Sequence, residues 1–189
     1  MRLNMKLKLL ILILALQTAW ILGTRSVQER ALTHGRVVLL ETRPVDPRDL
    51  LRGDYLILSY KISDVPLDLF MPPRTNGLPP GQTVYVALEP RGQFHEVVRA
   101  STEPIEPAAE HIVLKGRTQI WWGGNARTNA HLEYGLERYY VREGTGNPQG
   151  KITVQVAVPA SGQGSLKQVF LDGKPYAEAM KGAPRSGAL

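Results

Sequence analysis

The chain contains no cysteine, which excludes disulfides, thiolate zinc sites and thiol nucleophiles together. That absence leaves the compartment open, because a secreted domain with a large enough core needs no disulfide. Histidine is sparse: His34, His95, His111 and His131 stand singly, without the spacing that places two ligands on one metal. No acid falls before Glu29, whereas Arg2, Lys6 and Lys8 do. Setting these three aside from the 23 basic residues leaves 20 against 17 acidic, too mild a bias for nucleic acid. No long run of like charge and no internal repeat is present, so the remaining charges read as a mixed, solvated surface. Residues 162–164 hold a short Gly-Gln-Gly between strands, too little to cradle a phosphate.

What the chain does have comes first at its N-terminus. Residues 9–22 read LLILILALQTAWIL, uncharged, with only Gln17 and Thr18 polar. In hydrocarbon the backbone must satisfy its polar groups within its own segment, so such a run is viable there only as a helix. From Leu7 to Leu22 it has 16 residues, roughly 24 Å long against a hydrocarbon core of about 30 Å. Snorkelling of Lys6 and Lys8 and local thinning absorb that shortfall. A cleaved signal peptide opens in the same way, but small residues do not stand at both positions before a cut: Gln17 precedes Ala19, and Ile21 precedes Gly23. The expectation is an uncleaved single-pass anchor in the inner (plasma) membrane. Positive residues stay inside, which puts the remainder on the periplasmic, extracytoplasmic side.

From Arg36 onward continuous apolarity gives way to short alternating runs separated by Gly and Pro. The 18 Gly and 14 Pro favour many turns between short strands. Strands are expected over 37–41, 55–62, 83–88, 95–100, 112–116, 151–158 and 165–171, with turns at Gly92 and at Asp172-Gly173. Residues 26–33 extend the anchor as a polar stem, 46–51 read as one capped helical turn, and 66–80, with five prolines, as a surface loop. Of Trp121 and Trp122, strand alternation would make one a core residue. The organisation is therefore a basic cytoplasmic leader (1–8), a transmembrane anchor (9–23), a stem (24–35), an extracytoplasmic β domain (36–176) and a flexible tail (177–189). The fold class is mainly β, an antiparallel barrel or sandwich with minor helix.

The most distinctive stretch is Arg52-Gly53-Asp54-Tyr55-Leu56-Ile57-Leu58-Ser59-Tyr60, a turn feeding a strand. Alternation points Leu56, Leu58, Tyr60 and Ile62 to one face and Tyr55, Ile57, Ser59 and Lys61 to the other. The first face is apolar and belongs in a core. At Gly53, Asp54, Tyr55, Leu58 and Tyr60 the chain resembles the bacterial family named for its GDYxxLxY motif, with every specified position filled. Residues 81–88, 114–117, 134–141, 143–144 and 172–175 also resemble that family. The resemblance implies membrane-anchored proteins, often encoded beside polytopic membrane proteins, without an established activity.

Two functions follow as expectations. The first is an anchored accessory or binding protein that partners a polytopic membrane protein, with Tyr134, Gly135, Glu137, Arg138 and Tyr140 as its contact surface. Its lipid partner is the bilayer around the helix; nucleic acid is excluded as above. The second is a peptidase resembling membrane-anchored signal peptidases, which would need Ser59 activated by a desolvated Lys61. No Ser-Met-x-Pro-like segment precedes the Gly-Asp turn, and no cofactor or metal constellation is apparent, so the residues lean away from an enzyme. Asp46, Asp49 and Asp54 are interleaved with Arg48 and Arg52 and read as turn caps and local ion pairs.

Overall fold

The computed structural model describes residues 4–43, 55–106, 108–109, 111–119, 128–141 and 150–182. Gly53 and Asp54, the expected helical turn at 46–51, and Trp121-Trp122 lie outside the described residues. The first element is a helix, α1 (Met5–His34), apolar on every side along its N-terminal two-thirds. Its segment Met5–Ser26 has 22 residues, long and apolar enough to cross a membrane at about 1.5 Å rise per residue, and none of it is buried. The helix is thus longer than the apolar run alone, because Lys6, Lys8 and the stem continue the same backbone ladder. Thr18 donates its hydroxyl to Leu14 O at 2.8 Å, which satisfies that polar group within the segment. Trp20 is 76% exposed, and its neighbours Ile21 and Leu22 are also open.

Gly35 separates α1 from β1 (Arg36–Glu41). The strands that follow are β2 (Tyr55–Ile57), β3 (Asp64–Pro66), β4 (Thr83–Arg91), β5 (Phe94–Ser101), β6 (Ile112–Thr118) and β7 (Asn129–Glu133). Then come β8 (Arg138–Tyr140), β9 (Ile152–Val158), β10 (Ser165–Leu171) and β11 (Lys174–Pro175), closed by a short helix, α2 (Tyr176–Ala179). They assemble as a sheet of order β1-β9-β10-β11, a second of order β3-β7-β6-β4-β5, and a ribbon of β2 with β8. Among the described residues every ladder between these strands is antiparallel, and an isolated bridge of Phe70 to Ala100 is parallel.

One core lies between these layers. It draws Val38 and Leu40 from β1, Val84 and Val86 from β4, Leu114 from β6, Leu132 from β7, and Val154 and Val156 from β9. Along β9 both faces are buried, so the strand reads as a nearly continuous apolar run between β1 and β10. A smaller cluster of Ala87, Ile105 and Val113 fills the other face of the five-stranded sheet. Seams between the layers are stitched by backbone bonds: Lys115 N to Gly162 O at 2.8 Å and Arg43 N to Ser59 O at 2.7 Å.

The expected mainly antiparallel β fold with minor helix is what forms, and the turns at Gly92 and Asp172-Gly173 are present, with Gly92 at φ 63°. Three differences have physical causes. The strand expected over 55–62 ends at Ile57, and Lys61–Ser63 coils into a 3-10 turn closed by Ser63 N donating to Tyr60 O at 3.1 Å. The strands β3 and β8, of three residues each, are too short to carry a readable alternation. The tail expected to fray from 177 continues as α2 and a 3-10 turn over Met180–Gly182, since Ala179 and Met180 pack against the core.

Candidate functional site

The motif residues within the described segments build a lock. Leu58 and Tyr60 are fully buried beside Leu56, as the alternation requires. Tyr60 donates its hydroxyl to Leu136 O at 2.6 Å, and Tyr134 donates its own to Ile62 O, also at 2.6 Å. Each ring therefore reaches into the segment that carries the other. Between them Leu58 N donates to Glu137 O at 2.8 Å, and the Glu137 carboxylate accepts from Tyr134 N at 2.6 Å. Gly135, at φ 77°, makes the turn that lets Glu137 fold back onto Tyr134. Burial pushes both phenols far above their usual range, so both remain donors at all ordinary pH. Gly116 leaves room for the Tyr134 ring, which a Cβ there would meet at 3.0 Å.

The residues expected to form a contact surface are divided by this lock. Tyr134 is 2% exposed and belongs to the core, which corrects its place in a surface; a hydroxyl with a buried acceptor draws the ring inward. Glu137 is half-buried as a cap. Gly135, Arg138 and Tyr140 face outward, and Tyr140 is 71% exposed. In the ribbon Tyr55 pairs with Tyr140 in register, ring centroids 6.0 Å apart, and the Arg138 guanidinium lies 5.7 Å from the Tyr55 ring. An aromatic and basic ledge results, unlike the usual solvated surface.

A second feature is a groove of about 450 Å³ on the outer face of the five-stranded sheet. Thr83 and Tyr85 of β4, Lys115 and Arg117 of β6, Glu133 of β7, and Gln163 from the β9–β10 turn converge there. In the sequence Lys115 and Arg117 stand out only as part of the family-like stretch 114–117. Their spacing of two on a strand was a signal that they share a face, whereas nothing local marked Gln163.

A third cluster sits at the β1 edge. The Asp64 carboxylate accepts from His131 Nδ1 at 2.6 Å and is ion-paired with Arg43. Glu41 bridges Lys61 at 2.5 Å and Lys151 at 2.7 Å. Leu39 N donates to His95 Nδ1 at 3.3 Å, which requires that nitrogen unprotonated. Burial, with Arg36 nearby, lowers the His95 pKa accordingly. Lys61 is exposed and ion-paired with Glu41, unlike the desolvated lysine that a serine/lysine mechanism uses. Among the described residues no group of three or more His, Asp or Glu side chains is arranged to hold a metal ion.

An exposed apolar helix joined to an antiparallel β domain, its motif strand locked by two buried tyrosines, defines a mainly β protein with an N-terminal helix able to cross a membrane. The family model described as GDYXXLXY protein matches residues 17–169, and the chain belongs to that family. No curated protein and no solved structure matches it.

Proposed function

We propose that this is a membrane-anchored accessory or binding protein whose β domain stands on the extracytoplasmic side and docks on a polytopic membrane protein. The observation that carries this reading is the pairing of an unburied apolar helix with an exposed aromatic ledge on the same chain. A helix whose 22-residue apolar segment is unburied by its own domain has lipid or another helix as its natural surroundings. Arg2, Lys6 and Lys8 at its N-terminal end favour that end in the cytoplasm. Tyr140, Tyr55 and Arg138 are the residue types that dominate protein interfaces, and here they form one contiguous patch.

A photo-cross-linking amino acid at position 140 of the full chain, irradiated in living cells, is expected to trap one integral membrane protein reproducibly. The same probe at Gln93, on the β4–β5 turn, is expected not to. Equal trapping at both positions, or none at 140, would contradict a docking role for the ledge.

A further inference from the structure

The groove over β6 has a composition that selects for one kind of ligand. Lys115 and Arg117 occupy alternate positions of β6 and so share a face, opposite Tyr85 and Thr83 in register on β4. Among the described residues neither cation has a carboxylate within ion-pair distance, whereas Arg43, Lys61 and Lys151 each have one. The single acid in the lining, Glu133, stands opposite Arg117 in register but accepts from Gln119 Nε2 at 3.0 Å.

The donors are also held in place. The Lys115 ammonium lies 5.4 Å from the centre of the Tyr85 ring, and a Cβ at Gly162 would meet the Lys115 stem at 3.1 Å. The Lys115 backbone is tied to the same turn through Gly162 O. On the far rim Gln163 Nε2 sits 3.8 Å from where a Gly135 Cβ would be, so an amide donor approaches from a third element. Lys and Arg are donor-only groups, and the Thr83 and Tyr85 hydroxyls add two more donors. A concavity of about 450 Å³, lined by two cations against one carboxylate, suits a polar anion larger than a bare ion.

We infer that this groove binds a phosphate-bearing small ligand, with Lys115 and Arg117 bracketing the phosphate and Gln163 completing its contacts. Phosphate fits better than carboxylate. Its oxygens spread in three dimensions and can accept from two cations and an amide at once, whereas a planar carboxylate is satisfied by one fork. The phosphate could come from a soluble phosphate ester or from a phospholipid headgroup, and the chemistry of the groove is common to both.

The test uses the full chain in a maltoside detergent that carries no phosphate. Calorimetric titration with inorganic phosphate and with glycerol 1-phosphate reads the soluble source, and native mass spectrometry of retained phospholipid reads the headgroup. Lys115→Met and Arg117→Gln are each expected to weaken binding about tenfold or more, or to abolish phospholipid retention. Lys167→Met, on β10 outside the groove, is expected to leave both unchanged. Circular dichroism melts confirm that each variant is folded, and Arg117→Lys is expected to retain part of the affinity. Loss in the soluble assay supports a phosphate ester, and loss only of retained lipid supports the headgroup. Binding insensitive to both groove variants, or no binding of any of the three probes, overturns the inference.

Discussion

Tyr60 and Tyr134 each bury a ring and direct a hydroxyl at a carbonyl of the other's segment, so each bond holds the acceptor's backbone as well as the donor's ring. Removing one hydroxyl leaves a buried carbonyl without its donor, at a cost of about 1–3 kcal/mol. Tyr60→Phe and Tyr134→Phe should each lower the unfolding free energy measured by urea titration by that much. The double variant should lose less than the sum, because both bonds clamp the same pair of segments. Strict additivity would show two independent tyrosines and no lock.

Asp64 predicts a pH effect. Burial acts to raise its pKa, but the hydrogen bonds from His131 and Arg43 outweigh burial and hold it below the ordinary 3.8. The folded state therefore binds this proton less readily than the unfolded chain does. The resulting stability is present above about pH 4 and is lost as pH falls through the folded value. Thermal melts should show Asp64→Asn less stable than the natural protein near pH 7, with the gap narrowing below about pH 4. A gap independent of pH would exclude the mechanism. Of these side chains the inward-facing motif residues were readable, since alternation alone turns Leu58 and Tyr60 to the apolar face. The partners Leu136, Ile62 and His131 were not, because each lies 67 or more residues away along the chain.

The elements divide in the same way. Helix α1 is legible as a run of apolar residues after a basic leader, and its length as a helix emerges once the stem proves continuous with it. A charge near the middle of such a span costs about 2.5–3.5 kcal/mol. Leu14→Arg is expected to shift the protein into the fraction that alkaline carbonate extracts from membranes, and Trp20→Phe is expected not to. Retention of Leu14→Arg in the pellet would argue that the helix does not span. Long strands such as β4, β9 and β10 announce themselves by alternation or by continuous burial. The three-residue strands β3 and β8 do not, because three residues carry no period; they form because β7 and β2 offer them a partner edge.

For the whole chain, the missing cysteines become an experimental advantage. Gln93→Cys places a single thiol on the exposed β4–β5 turn, and no other thiol in the chain competes for the reagent. A membrane-impermeant maleimide should label it in spheroplasts without lysis if the β domain faces outward. Labelling only after lysis would put the domain in the cytoplasm and remove the docking reading with it.

Composition and pattern were enough to separate an apolar helix from a β domain, because both signals are local: the run of hydrophobic residues and the period of two. They also turned the motif strand's apolar face inward. Which segments Tyr60 and Tyr134 clamp, that Tyr134 is interior while Arg138 and Tyr140 are not, and that Gln163 meets Lys115 and Arg117 across a groove were decided only by the packing of strands remote in sequence. Pairing partners are chosen by register and by the shape of a shared core, and no single segment carries either.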